Sequence, residues 1–157
     1  MSRSRKIERY GARKDFSRNA RARFLPMPRR DADALALQYR LALEAVRCQR
    51  AERRDAISMA HVVLFTLFLT EAGHGLLDIE YLRKVEGELA AVLKHGETTG
   101  EWGFPSSLLE PLIIVVNEHD RQLREVRLSE IAAATRRLDQ RRAVAIRLAD
   151  KERTATN

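Results

Sequence analysis

Residues 56–70 read AISMAHVVLFTLFLT, fifteen positions bounded by Asp55 and Glu71. The placement of this run decides the fold. A helix that crosses a bilayer needs about 20 apolar residues, and shorter apolar stretches are more often the buried helix of a bundle. The run holds His61 and Thr66 and is closed by charge at both ends. It therefore reads as a central helix, apolar nearly all round because neighbouring helices cover it. No membrane partner is expected.

Helical signals continue on both sides. Asp55 stands where an N-cap is needed, because its carboxylate can accept from the orphan amides of the first turn. Gly73 and Gly75 supply left-handed backbone to end the central helix. Upstream, Asp31 can cap a helix reaching about Arg50, with Leu35, Tyr39, Ala42 or Leu43, and Val46 on one row. Leu37, Leu41, Ala45 and Cys48 form a second row, which predicts a helix covered over a wide face with Cys48 in the core.

Downstream, Asp78 starts a third helix that places Ile79, Leu82, Val85, Leu89 and Val92 on one side. Glu80, Arg83, Lys84, Glu86 and Glu88 make its solvated side, and Gly96 ends it. The stretch GETTGEWGFPSS, residues 96–107, is the one long loop, with Trp102 and Phe104 folding back on the bundle. Ser107 and Glu110 have capping-box spacing, and Pro111 falls in the first turn. Leu112, Val115, Val116, His119, Leu123 and Val126 then line one side, and the pattern runs on through Leu148 without Gly or Pro. Unbroken from Ser107 to Asp150, this helix would be about 65 Å long. It either breaks near Ser129, which can cap a further helix, or its basic end projects.

The expected fold is all-α. A four-helix antiparallel bundle over residues 31–128 is preceded by a disordered basic arm, 1–30, and followed by a long basic helical extension with a frayed tail, 129–157. No internal repeat and no strand alternation interrupts this reading. A length of 157 residues suits one domain with a real core. Cys48 is the only cysteine, which excludes an intramolecular disulfide and points to a reducing, cytoplasmic compartment. The N-terminus lacks the apolar stretch of a secretory signal, although its Arg-rich, acid-poor composition is that of a transit peptide.

Charge is segregated along the chain. Residues 1–30 carry eleven Arg and Lys against Glu8 and Asp15, residues 31–135 are net acidic, and residues 136–157 are basic again. The overall +7 therefore belongs to the ends. Such a distribution points to a polyanionic partner.

Catalytic motifs are lacking. There is no phosphate-binding Gly loop, nucleophile elbow or HExxH. Glu71 and His74 have the Glu-x-x-His spacing of di-iron bundles, but no second pair faces them. His61 and His119 read as core or boundary histidines. No enzyme activity, cofactor or metal is expected.

The arm supplies the functional lead. Arg3, Arg5, Lys6, Arg9, Arg13, Lys14, Arg18, Arg21, Arg23, Arg29 and Arg30 recur every few positions, with Tyr10, Phe16 and Phe24 among them. Guanidinium and ammonium groups neutralise phosphates, and rings such as Tyr10 stack on unpaired bases. A flexible arginine arm also suits the minor groove, which favours DNA over RNA. No helix-turn-helix is convincing, because the third helix presents Glu80, Glu86 and Glu88, which repel phosphate. The alternative is a non-enzymatic helical module whose core surface, including Trp102 and Phe104, engages a protein or a second copy. A homodimer would form through the long last helix.

The segments RRDAISMAHVVLFTLFL (53–69), EWGFPSSLLEPLIIVVNEHDRQL (101–123) and PMPRR (26–30) resemble a set of small proteobacterial proteins encoded near prophages and other mobile elements. Some of these carry the label of Fis-type transcriptional regulator. The resemblance covers roughly residues 25–128. It implies a bacterial, nucleoid-associated regulator and speaks against a transit peptide. The label also implies a C-terminal helix-turn-helix, which these residues do not form, so no DNA-contacting residue is carried over from it.

Overall fold

The computed structural model describes residues 20–155. The chain is all-α, with no strand among the described residues and one isolated bridge between Pro26 and Arg127. Among the described residues five long α-helices follow in order: α1 (Arg29–Arg47), α2 (Arg53–Leu69), α3 (Ile79–Thr99), α4 (Ser106–Glu125) and α5 (Leu128–Ala155). A π-helical turn, Thr70–His74, extends α2.

The run quoted first lies at the centre. Ala56, Met59, Val62, Val63, Phe65, Leu67, Phe68 and Leu69 of α2 are all buried, and each of the other four helices packs on α2. The helical run Arg53–His74 is long and apolar enough to cross a membrane by length and composition, and 56% of its most apolar window is buried inside the protein. Around it, α3 buries Leu82, Val85, Leu89 and Val92, and α4 buries Leu108, Leu112, Val115, Val116 and Leu123. These are the stripes that the helical period selects. Ion pairs report direction. Arg53–Glu97 and Arg83–Glu71 run α3 against α2, and Arg40–Asp120 with Asp33–Arg124 run α4 against α1.

The four expected helices become five because the long last helix breaks. Val126 is buried and extended, with φ −81° and ψ 142°. Its burial holds the break where no Gly or Pro marks one. Ser129 does not cap the new helix. Instead, the Leu128 and Ser129 amides donate to the carbonyls of Leu25 and Arg23, each at 2.9 Å. Ile131 and Ala134 are then buried, Leu138 packs on the core, and Arg137 lies 4.1 Å over the Phe68 ring. The first half of α5 is thus part of the core. Farther on, Val144 and Ile146 are exposed.

Several ends differ from the sequence expectations. Helix α1 starts at Arg29 behind Pro28, so Asp31 sits in its first turn rather than at its cap. Glu52 is the N-cap of α2, and Asp55 occupies N3, its carboxylate accepting from the Glu52 amide at 2.8 Å. Asp78 does cap α3, accepting from Glu80 and Tyr81. Gly96 is interior to α3, and left-handed Gly100 ends the helix. A Cβ on Gly96 would lie 2.3 Å from the Trp102 ring, so the glycine there seats the indole.

Gly73 is left-handed, but Gly75 is extended, and a Cβ on it would collide with the Thr70 side chain. Pro105 precedes α4 without a side-chain cap, so Ser107 and Glu110 form no capping box, and Pro111 lies in the second turn. Cys48 is exposed, as are Leu37 and Leu41. The second row of α1 is therefore uncovered, because α2 and α4 together occupy only the Ala32, Ala36, Ala42 and Val46 side.

Candidate nucleic-acid interface

Of the twelve arm residues proposed to contact nucleic acid, Arg3, Arg5, Lys6, Arg9, Tyr10, Arg13, Lys14 and Arg18 lie outside the described residues. Arg21, Arg23, Arg29 and Arg30 lie within them, and all four are exposed. Ala20–Ala22 form a helical turn that closes with Phe24 N–H on the Arg21 carbonyl and Leu25 N–H on the Ala22 carbonyl, each at 3.1 Å. The turn aims the Arg23 and Leu25 carbonyls at the first amides of α5. Those amides have no partner inside their own helix, so a carbonyl satisfies them as a side-chain cap would. Arg127 lies on the bridge with Pro26 and is exposed. The end of the arm and the start of α5, a hundred residues apart in the chain, are one local structure.

The arginines divide into two groups. Most of those in the bundle are matched to acids; Arg50, exposed between α1 and α2, makes no ion pair among the described residues. Arg40 holds Asp120 and Asn117, Arg53 holds Glu97 at 2.9 Å, Arg121 holds Glu118 at 2.7 Å, and Arg137 holds Glu71 at 2.6 Å. Arg141 pairs with Glu86. By contrast, Arg21, Arg23, Arg29, Arg30, Arg127, Arg136, Arg142 and Arg147 are exposed and make no ion pair among the described residues. Arg136 and Arg147 share the face of α5 opposite Ile131 and Leu138, about 16 Å apart at the rise of an α-helix. Sequence reading assigned the last segment a basic character without selecting these side chains. The signal was the helical period counted from the buried Ile131.

Polar groups inside the bundle serve the fold. Glu118 is buried; desolvation works to raise its pKa, but the Arg121 guanidinium and the Leu76 amide at 2.8 Å outweigh it, and the carboxyl ends below its usual range. The Gln122 amide reaches the Thr66 and His74 carbonyls at 3.4 Å and spans the π-helical turn. Glu71 and His74, which share di-iron spacing, go to different partners: Glu71 to Arg83 and Arg137, His74 toward Glu130. Among the described residues, no group of three His, Cys, Asp or Glu side chains is placed to hold a metal ion. Trp102 is half-buried against Gly96, and Phe104 packs on the core.

Comparison with protein-family models, curated proteins and solved structures finds no match to this chain.

Proposed function

We propose that the protein is a nucleic-acid-binding accessory or regulatory factor of transcription, contacting phosphates through its basic arm, with DNA as the preferred polymer. One observation carries the reading. The end of the arm is fastened to the start of α5 by the Leu128–Leu25 and Ser129–Arg23 backbone bonds, so the unpaired Arg21, Arg23 and Arg127 stand at one junction, from which Arg136, Arg142 and Arg147 follow along α5. The matched bundle arginines have no such availability. A duplex phosphate backbone is the polyanion that many separated guanidinium groups can neutralise together, with release of condensed counterions. Phe24, 64% exposed between Arg23 and the Leu25 turn, offers a ring for stacking. The reading makes the protein a non-enzymatic, cytoplasmic factor located at the nucleoid.

The test is binding to duplex DNA, single-stranded DNA and RNA across a salt series, with the full chain and with a chain that starts at Ala20. If about six phosphates are neutralised, log K falls with log salt at a slope near −5. The shortened chain keeps the α5 cap and loses most of that slope. Salt-independent binding, or none, by the full chain would overturn the reading.

A further inference from the structure

The uncovered face of α1 holds a ridge and a groove side by side. Leu37 and Leu41 are 60% and 62% exposed, on one stripe with Ala34, Ala45 and Cys48. Beside them runs an open groove of about 590 Å³ between α1 and the start of α2, floored by Ala42 and bordered by Arg54 and Ser58. Two large apolar side chains at this exposure in a continuous strip mark a contact surface.

The charges at the ends of the strip identify the occupant. Arg30 stands at the N-terminal end of α1 and Glu44 at the other end, while Arg54, at the border of the groove, lies 3.5 Å from Glu52 and 3.9 Å from Asp55 of its own chain. Arg30 makes no ion pair among the described residues, while Glu44 holds Arg47 of its own helix and faces outward. A two-fold axis near Gln38 sets α1 antiparallel to its copy. It brings Leu37 against Leu41 of the second copy and Arg30 beside Glu44 of the second copy. A ridge with an adjacent groove and end charges of opposite sign are the self-complementarity that an isologous contact requires. The other exposed apolar pair, Val144 and Ile146 on α5, stands among Arg141, Arg142 and Arg147. A second copy placed there would set like charges against each other.

We propose that this face of α1 docks a second copy of the chain, forming a two-fold dimer through Leu37 and Leu41. The dimer leaves α5 and, apart from Arg30, the arm free. It does not depend on the nucleic-acid reading, so the two fail separately.

Sedimentation of the full-length protein without nucleic acid, over a concentration series, tests it. The wild type is expected to run as a dimer. Leu37→Glu with Leu41→Glu should raise the dissociation constant about a hundredfold or more, since a carboxylate in an apolar contact is left unpaired, while helical circular dichroism and the melting temperature hold. Ile146→Glu should leave the dimer intact. Arg30→Glu should weaken it about tenfold, and adding Glu44→Arg should restore it, an outcome that does not rely on the leucine variants. A monomeric wild type, a dimer indifferent to the leucine changes, dissociation by Ile146→Glu, or no recovery on the charge swap would each overturn the proposal.

Discussion

Both ring nitrogens of His119 are buried on α4 with no hydrogen-bond partner among the described residues, and Tyr39 and Phe65 meet the ring edge-on at 5.1 and 5.2 Å. Burial alone pushes its pKa down to about 4. In the unfolded chain, the imidazole titrates at its ordinary value near 6.5. Between these values the unfolded state binds the extra proton, so this contribution is fully present above pH ~6.5 and is lost as pH falls toward ~4. The wild type should therefore lose about 3 kcal/mol more than His119→Leu over that window, read from urea melts at stepped pH. Equal pH profiles would contradict it.

Gly96 gives a second test at this scale. Alanine in a helix interior ordinarily adds about 1 kcal/mol over glycine, but here its Cβ meets the only indole at 2.3 Å. Gly96→Ala should cost about 1–3 kcal/mol net and red-shift the Trp102 fluorescence. Periodicity placed His119 on an apolar stripe. What surrounds the ring, and what lies over Gly96, comes from α1, α2 and the loop after α3, which no local pattern reports.

Among elements, the α4–α5 break was the least legible. An uninterrupted helical pattern from Ser107 to Asp150 carries no stop, and the actual stop rests on a buried, extended Val126 and on carbonyls a hundred residues upstream. Capping by backbone leaves no residue-type signature, whereas Asp78 was readable because a side-chain carboxylate caps α3. Gly96 and Gly100 show the same limit: either glycine can end a helix, and the packing of Trp102 decides between them. A chain starting at Pro28 should lose about 0.5–1.5 kcal/mol for each of the two lost hydrogen bonds. Amide exchange should speed up at Leu128 and Ser129. A chain starting at Ala20 should match the full protein at both amides, and equal exchange in all three would refute the capping role.

For the molecule as a whole, charge segregation is the property that the proposed function rests on. Arg136 and Arg147 are exposed and free of ion pairs among the described residues, so changing each to Glu should leave stability within about 0.5 kcal/mol. If α5 joins the arm on phosphate, each change should weaken binding to all sequences alike and reduce the salt slope by about 1. Unchanged slopes would confine the contact to the arm. The sequence by itself determined the all-helical class, the central position of residues 56–70, the core stripes of α3 and α4 and the basic ends, because helical periodicity and net charge are local sums along the chain. Only the tertiary structure decided that the last helix divides, that its first half joins the core, that one row of α1 stays uncovered and that the end of the arm meets the start of α5. Each of these depends on which surfaces remain after α2 has been covered, and that is settled by packing between segments distant in sequence.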